Sequence, residues 1–149
     1  MSSAPTLAPR PASRISGQNM IAIASGKGGV GKTWFAITLA HAIAKRKTRA
    51  LLFDGDLGLA NVDIQLGLAP RLDLAAVVGG RSGMEEAITP YPAGGFDILA
   101  GRSGSAGLVA LPPEAVDRLA RELARTAQAY DTVVLDLGAG VERTAWRLA

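Results

Sequence analysis

Residues 25–33 read SGKGGVGKT, and within them Gly26, Gly31, Lys32 and Thr33 satisfy the spacing G-x-x-x-x-G-K-[ST]. The chemistry open to this spacing is the cradling of a phosphate chain. A glycine-rich turn lets successive backbone N–H groups converge on an anion, and the lysine adds a full positive charge. The cradle would run through Gly26, Lys27, Gly28, Gly29, Val30, Gly31, Lys32 and Thr33, with the glycines removing side chains that would hold phosphate oxygens away. Lys32 is expected to reach the β and γ phosphates, and the Thr33 hydroxyl to ligate Mg2+. Lys27 is a second lysine beyond what holding a phosphate chain requires. From the residues alone it is either a solvated loop cation or part of a further mechanism, and the bland alternative for the whole stretch is a glycine turn without a ligand.

A phosphate loop hydrolyses nothing until carboxylates place a metal and an attacking water. Three aspartates stand at the ends of apolar runs: Asp54 and Asp56 after RALLF, and Asp136 after VVL. In a parallel α/β sheet the ligand lies beyond the carboxyl ends of the strands, so Asp54, Asp56 and Asp136 are expected on the edge that holds the loop. Taken singly, each could instead be a turn former or a helix cap.

The elements that must position these groups follow from periodicity. MIAIAS (20–25) is a short apolar run ending in glycines, which predicts a buried strand entering the loop. A helix over Thr33–Lys47 follows, with Phe35, Leu39, Ala42 and Ile43 at helical spacing and the basic Lys45, Arg46 and Lys47 at its negative end. RALLFD (49–54) predicts a second strand, then short helices in LANVDIQLGL, LDLAAVV and GMEEAI, then a third strand in FDILAG (96–101). LPPEAVDRLARELARTAQAY gives the clearest helix, with Pro113 in its first turn and Val116, Leu119, Ala120, Leu123 and Ala127 on one stripe. Its Glu114–Arg118 and Asp117–Arg121 spacings mark the wet face. Val133–Leu137 predicts a fourth strand, and VERTAWRLA a further helix. Strands alternating with helices imply an α/β fold, a mainly parallel sheet with helices on both faces.

Composition narrows the function classes. The 149 residues suit one domain: a leader over 1–19 expected to lack structure, and a folded body over 20–149. Removing Arg10 and Arg14 of the leader from the net charge of +3 leaves +1, so global charge gives nucleic-acid binding little support while leaving it open. With no cysteine, disulfides, Cys-based zinc sites and thiolate-held iron–sulfur clusters are excluded, which fits a cytoplasmic protein. No apolar run approaches the ~20 residues of a bilayer span. His41 is expected on a helix surface, Trp34 and Trp146 in packing, and Glu85 and Glu86 on a wet helix face.

GKGGVGKT with Lys27, DGDLGLANVD (54–63) and LDLGAG (135–140) together resemble the deviant Walker A ATPases of the MinD/ParA group, with a P-loop NTPase-like fold. GDLGLANVDIQLGL and ILAGRSGSAGLVAL are most similar to its flagellar-number branch, FlhG/FleN-like. The resemblance spans 20–149 and implies ATP and Mg2+ as ligands and an ATP-dependent homodimer in which Lys27 acts on the partner's nucleotide, like an arginine finger. It implies that Asp56 orients or activates the attacking water, that Asp54 supports the magnesium and Lys27, that Asp136 is the Walker B acid and that Gly140 lies near the γ-phosphate. Asn61 would contribute to the interface or cap the next helix. The family often has D-x-P-x-G where this chain has Gly138, which is expected to loosen the loop while keeping the backbone close to phosphate.

By this resemblance, the 149 residues are expected to cover the N-terminal half of the family fold, without the adenine-recognising region or a C-terminal membrane-targeting helix. The expectation is therefore an exposed apolar sheet edge, weak nucleotide binding and poor hydrolysis by the 149 residues alone. Functionally, the resemblance implies an ATP-hydrolysing dimerisation switch that regulates flagellar number or placement through a flagellar GTPase or a transcription regulator. The alternatives are a ParA-like partitioning ATPase that binds DNA nonspecifically and a truncated, noncatalytic interaction module.

Overall fold

The computed structural model describes residues 19–56, 60–101 and 111–139. Gly140, Trp146, the helix expected in VERTAWRLA, the leader before Asn19 and most of RSGSAGLVAL lie outside the described residues. Ten elements follow one another: β1 (Met20–Ser25), α1 (Lys32–Ala44), β2 (Ala50–Gly55), α2 (Val62–Leu66), α3 (Leu74–Val78), α4 (Met84–Ala87), β3 (Ile88–Tyr91), β4 (Phe96–Leu99), α5 (Pro113–Ala127) and β5 (Thr132–Ala139).

The strands form one sheet in the order β1-β5-β2-β4-β3. β1 with β5, β5 with β2 and β2 with β4 run parallel, whereas β3 pairs antiparallel with β4. β2 is central and buried at all six positions, as a continuous apolar run demands when both faces of a parallel sheet are covered. β1 is not the buried strand expected from MIAIAS: none of its residues is buried and Ile21 is 42% exposed, because β1 ends the sheet order and pairs only with β5, which leaves the expected apolar edge.

Strand alternation divides the core into two layers. Leu51, Phe53, Val133, Leu135 and Leu137 pack with Leu119 and Leu123 of α5 and with Leu74 and Met84 of the short helices. Leu52, Val134 and Ile98 point the other way and pack under Ala36, Ile37 and Ala40 of α1 and Val62 of α2.

Two further expectations change. α1 buries Ala36, Ile37 and Ala40, while Phe35 is 53% and Trp34 66% exposed. The alanines one turn apart let the helix axis come close to the sheet, and bulky Phe35 and Trp34 would hold it off. β3 was absent from the periodicity: only four residues long and containing Pro90, it has too short a pattern to read, and an edge strand tolerates its proline.

The amino end of the sheet is tied by polar contacts. Asn19, assigned to the leader by composition, donates from Nδ2 to the carbonyls of Ala127 and Tyr130 at 2.8 and 3.0 Å, and so belongs to the folded body. The Tyr130 hydroxyl donates to Asp97 Oδ2 at 2.9 Å, with the Arg49 guanidinium 5.0 Å from the Tyr130 ring centre. Burial first, and then Asp97, pushes the Tyr130 pKa upward.

Candidate functional site

The phosphate loop joins β1 to α1 at the carboxyl end of the sheet. Gly29 and Gly31 hold φ of +72° and +89°, left-handed values that a side chain strains, so the glycines here are a backbone requirement. The Gly31 carbonyl accepts from Phe35 N at 2.9 Å, opening α1 directly behind the loop, and the Ser25 hydroxyl donates to the Lys27 carbonyl at 2.7 Å, shaping its entry. Lys27, Gly28 and Val30 are exposed, whereas Lys32 and Thr33 are half-buried, so the two lysines occupy different surroundings. Lys27 is open to solvent, and Lys32 is partly covered at the start of α1.

Asp54 and Asp136 are neighbours in the parallel register of β2 and β5. Alternation sets both on the face shared with Leu52 and Val134, under α1, and both are buried, at 0% and 1% exposure. Both oxygens of Asp136 are shielded from solvent without a hydrogen-bond partner. Burial raises its pKa; the Thr33 hydroxyl and the Lys32 ammonium oppose the rise and Asp56 adds to it. Thr33 is thus near enough to act on the carboxylate without meeting hydrogen-bonding geometry.

Asp54 is held differently. Its Oδ2 accepts from Asn61 N and Val62 N, both at 3.0 Å, and its Oδ1 from Asp56 N at 3.3 Å. Burial nevertheless raises its pKa to about 7, outweighing these donors, and Asp136 contributes to the rise. Asn61 stands at the N-cap of α2 but makes no side-chain cap bond; Asp54 serves that end of the helix instead.

Asp56 is half-buried and lies over the end of β5: a Cβ added to Gly138 would stand 3.2 Å from its Oδ1. The sequence suggested only that Gly138 loosens the loop, and the structure adds that its missing side chain makes room for the Asp56 carboxylate. Lys32, Thr33, Asp54, Asp56 and Asp136 therefore meet at one sheet edge, as the strand-end rule predicts. Among the described residues, no group of three or more His, Cys, Asp and Glu side chains could hold a metal alone.

The remaining expectations fall away from this edge. His41 packs edge-on against Phe96 at 5.0 Å and Tyr91 at 6.0 Å between ring centres. Glu85 and Glu86 are exposed, and Glu86 Oε2 accepts from Gly83 N at 3.3 Å. A concavity of about 680 Å³ between α4 and α5, lined by Met84, Glu86, Arg118 and Glu122, opens on the opposite face of the sheet from Asp54 and Asp136. No helix among the described residues is long and apolar enough to cross a membrane.

Comparison with known proteins agrees with this geometry. Residues 21–145 match the family model described as the CobQ/CobB/MinD/ParA nucleotide binding domain. The chain is 40% identical over 122 residues to the antiactivator FleN of Pseudomonas aeruginosa, covering 82% of this chain and 43% of FleN. It is 34% identical over 125 residues to the flagellum site-determining protein YlxH of Helicobacter pylori, covering 83% and 42% of the two chains. The septum site-determining protein MinD of Pyrococcus horikoshii, solved as its Mg-ADP complex, superimposes with a TM-score of 0.75 at 29% identity, covering 87% of this chain and 53% of that one. The chain thus spans about half the length of these relatives.

Proposed function

Because the chain belongs to the family of CobQ/CobB/MinD/ParA nucleotide-binding domains, we propose that it binds ATP with Mg2+, hydrolyses it, and so switches a cytoplasmic homodimer that regulates flagellar number or placement. The observation that carries the chemistry is Asp136: a buried carboxylate with no hydrogen-bond partner, within the influence of Thr33 and Lys32. A charge withheld from water and unpaired is costly, and a hard cation at the phosphate loop would compensate it. Thr33 and Asp136 would hold that Mg2+, the remaining ligands being phosphate and water, as suits an ion bound by few protein groups. When bound, the ion neutralises charge on the phosphates.

The chain's own residues do the rest. Backbone N–H groups from Gly26 to Thr33 would bind the phosphates, and Lys32 would reach the β and γ groups. Asp56 orients or activates the attacking water. Lys27, exposed on the loop, is available to a second copy's nucleotide and there offsets the charge that develops in phosphoryl transfer. The flagellar role is supported by the likeness to YlxH, and a GTPase or transcription regulator would be the downstream partner.

Two substitutions test this assignment. Lys32→Ala is expected to abolish binding of a fluorescent ATP analogue. Lys27→Ala is expected to keep that binding while losing ATP-dependent dimerisation in analytical ultracentrifugation, and turnover with it. Normal dimerisation and hydrolysis by Lys27→Ala would sink the role in trans.

A further inference from the structure

We propose that Asp54 is a positioning residue, a clasp that ties Asp56 and the start of α2 at Asn61 and Val62 to the end of β2 and so fixes Asp56, rather than a group that faces the cation. The inference rests on the role given above to Asp56 for its effect on turnover, but the clasp itself is independent of any nucleotide. One side chain holds three backbone donors: Oδ1 takes the N–H of Asp56, and Oδ2 takes those of Asn61 and Val62. Two of these partners lie seven and eight residues further along the chain, so the bonds tie α2 back to the end of β2.

Three features make the clasp specific. Asp54 is fully buried on a strand paired on both sides, which gives the carboxylate a rigid base. Asn61, the residue in line to cap α2, makes no side-chain cap bond, so the helix start depends on Asp54. The two oxygens of one carboxyl group also have lone pairs enough for all three donors. A cation approaching Asp54 would compete with three backbone donors for the same two oxygens, whereas the neighbouring Asp136 offers both of its oxygens unpartnered.

The position of Asp56 follows from this arrangement. Its backbone is held by Asp54, and its carboxylate rests over Gly138, so it is located from both ends. Loss of the clasp should release Asp56 without disturbing the phosphate loop, which begins on a different strand.

Amide hydrogen exchange by NMR on the full 149-residue chain, without Mg2+ or nucleotide, tests the clasp directly. Asp54→Ala should speed exchange at Asp56, Asn61 and Val62 by about tenfold or more, the consequence of losing a buried hydrogen bond, while Leu52 and Val134 stay protected. Asp54→Asn, which keeps one acceptor oxygen in the same shape, should retain part of the protection, and it decides the matter if the alanine variant unfolds. In a steady-state ATPase assay, Asp54→Asn should lower kcat about tenfold with KM changed less than about threefold, the pattern of a lost transition-state interaction. Unchanged exchange at these three amides in a folded variant would overturn the clasp. A wild-type chain without ATPase activity would count against the proposed function and leave the exchange result to decide the clasp.

Discussion

At the scale of single residues, two side chains and one missing side chain define the site. Asp136 keeps its carboxylate unpartnered, Asp54 spends its own on backbone donors, and Gly138 leaves space for Asp56. Sequence spacing could rank neither aspartate above the other, since both end an apolar strand. Hydrogen bonding is what separates their surroundings. Gly138→Ala should displace the Asp56 carboxylate by a few tenths of an ångström, because the new Cβ would stand 3.2 Å from a flexible oxygen. The expected result is a loss of less than about 1 kcal/mol in stability by urea denaturation, as for a small overpacking. Turnover should fall more than nucleotide affinity does. Equal turnover by the variant and the wild type would show that the space at Gly138 does not set Asp56.

At the scale of elements, the two ends of the sheet differ in their use of polar groups. The carboxyl end leaves an exposed loop and the unpartnered carboxylate of Asp136, whereas the amino end binds its groups to one another through Asn19, Tyr130 and Asp97. Tyr130→Phe removes the bond to Asp97 but keeps the ring under Arg49 and against the core. It should cost about 1 kcal/mol, the net worth of one such hydrogen bond, in urea denaturation. Nucleotide affinity should be unchanged, because the bond lies at the opposite end of the strands; an equal loss of affinity would mean that the ends are coupled. The elements themselves were largely legible. The stripe on α5 and the apolar runs of β1, β2, β4 and β5 repeat at the period their structures require. The buried face of α1 was not, because two small alanines win the packing position over larger apolar neighbours.

At the scale of the whole molecule, burying Asp54 and Asp136 side by side in a parallel register makes the stability of the nucleotide-free protein depend on pH. Asp54 has a pKa of about 7 in the folded chain against 3.8 ordinarily, so between those values the folded state holds a proton that the unfolded state has released. That contribution is complete below the lower value and is lost as pH rises through the upper one. Asp136 shifts in the same direction. Relative to Asp54→Asn, which cannot ionise, the wild-type chain should lose stability from pH 5 to 8, by up to about 1.4 kcal/mol per pH unit for one proton. Urea midpoints of the two proteins without Mg2+ measure the difference, and a constant gap across that range would refute the linkage.

The sequence by itself determined the phosphate loop, the parallel α/β plan and the edge to which Asp54, Asp56 and Asp136 would come. Each of these depends on local spacing: glycines that need particular φ values, apolar runs of strand length, and acids at their ends. What only the tertiary structure decided was the division among the acids between Asp54, held by three backbone donors, and Asp136, without a hydrogen-bond partner. That division depends on which strands become neighbours, which face each side chain takes and which backbone donors arrive from residues far along the chain, and none of these is written in the spacing of one segment.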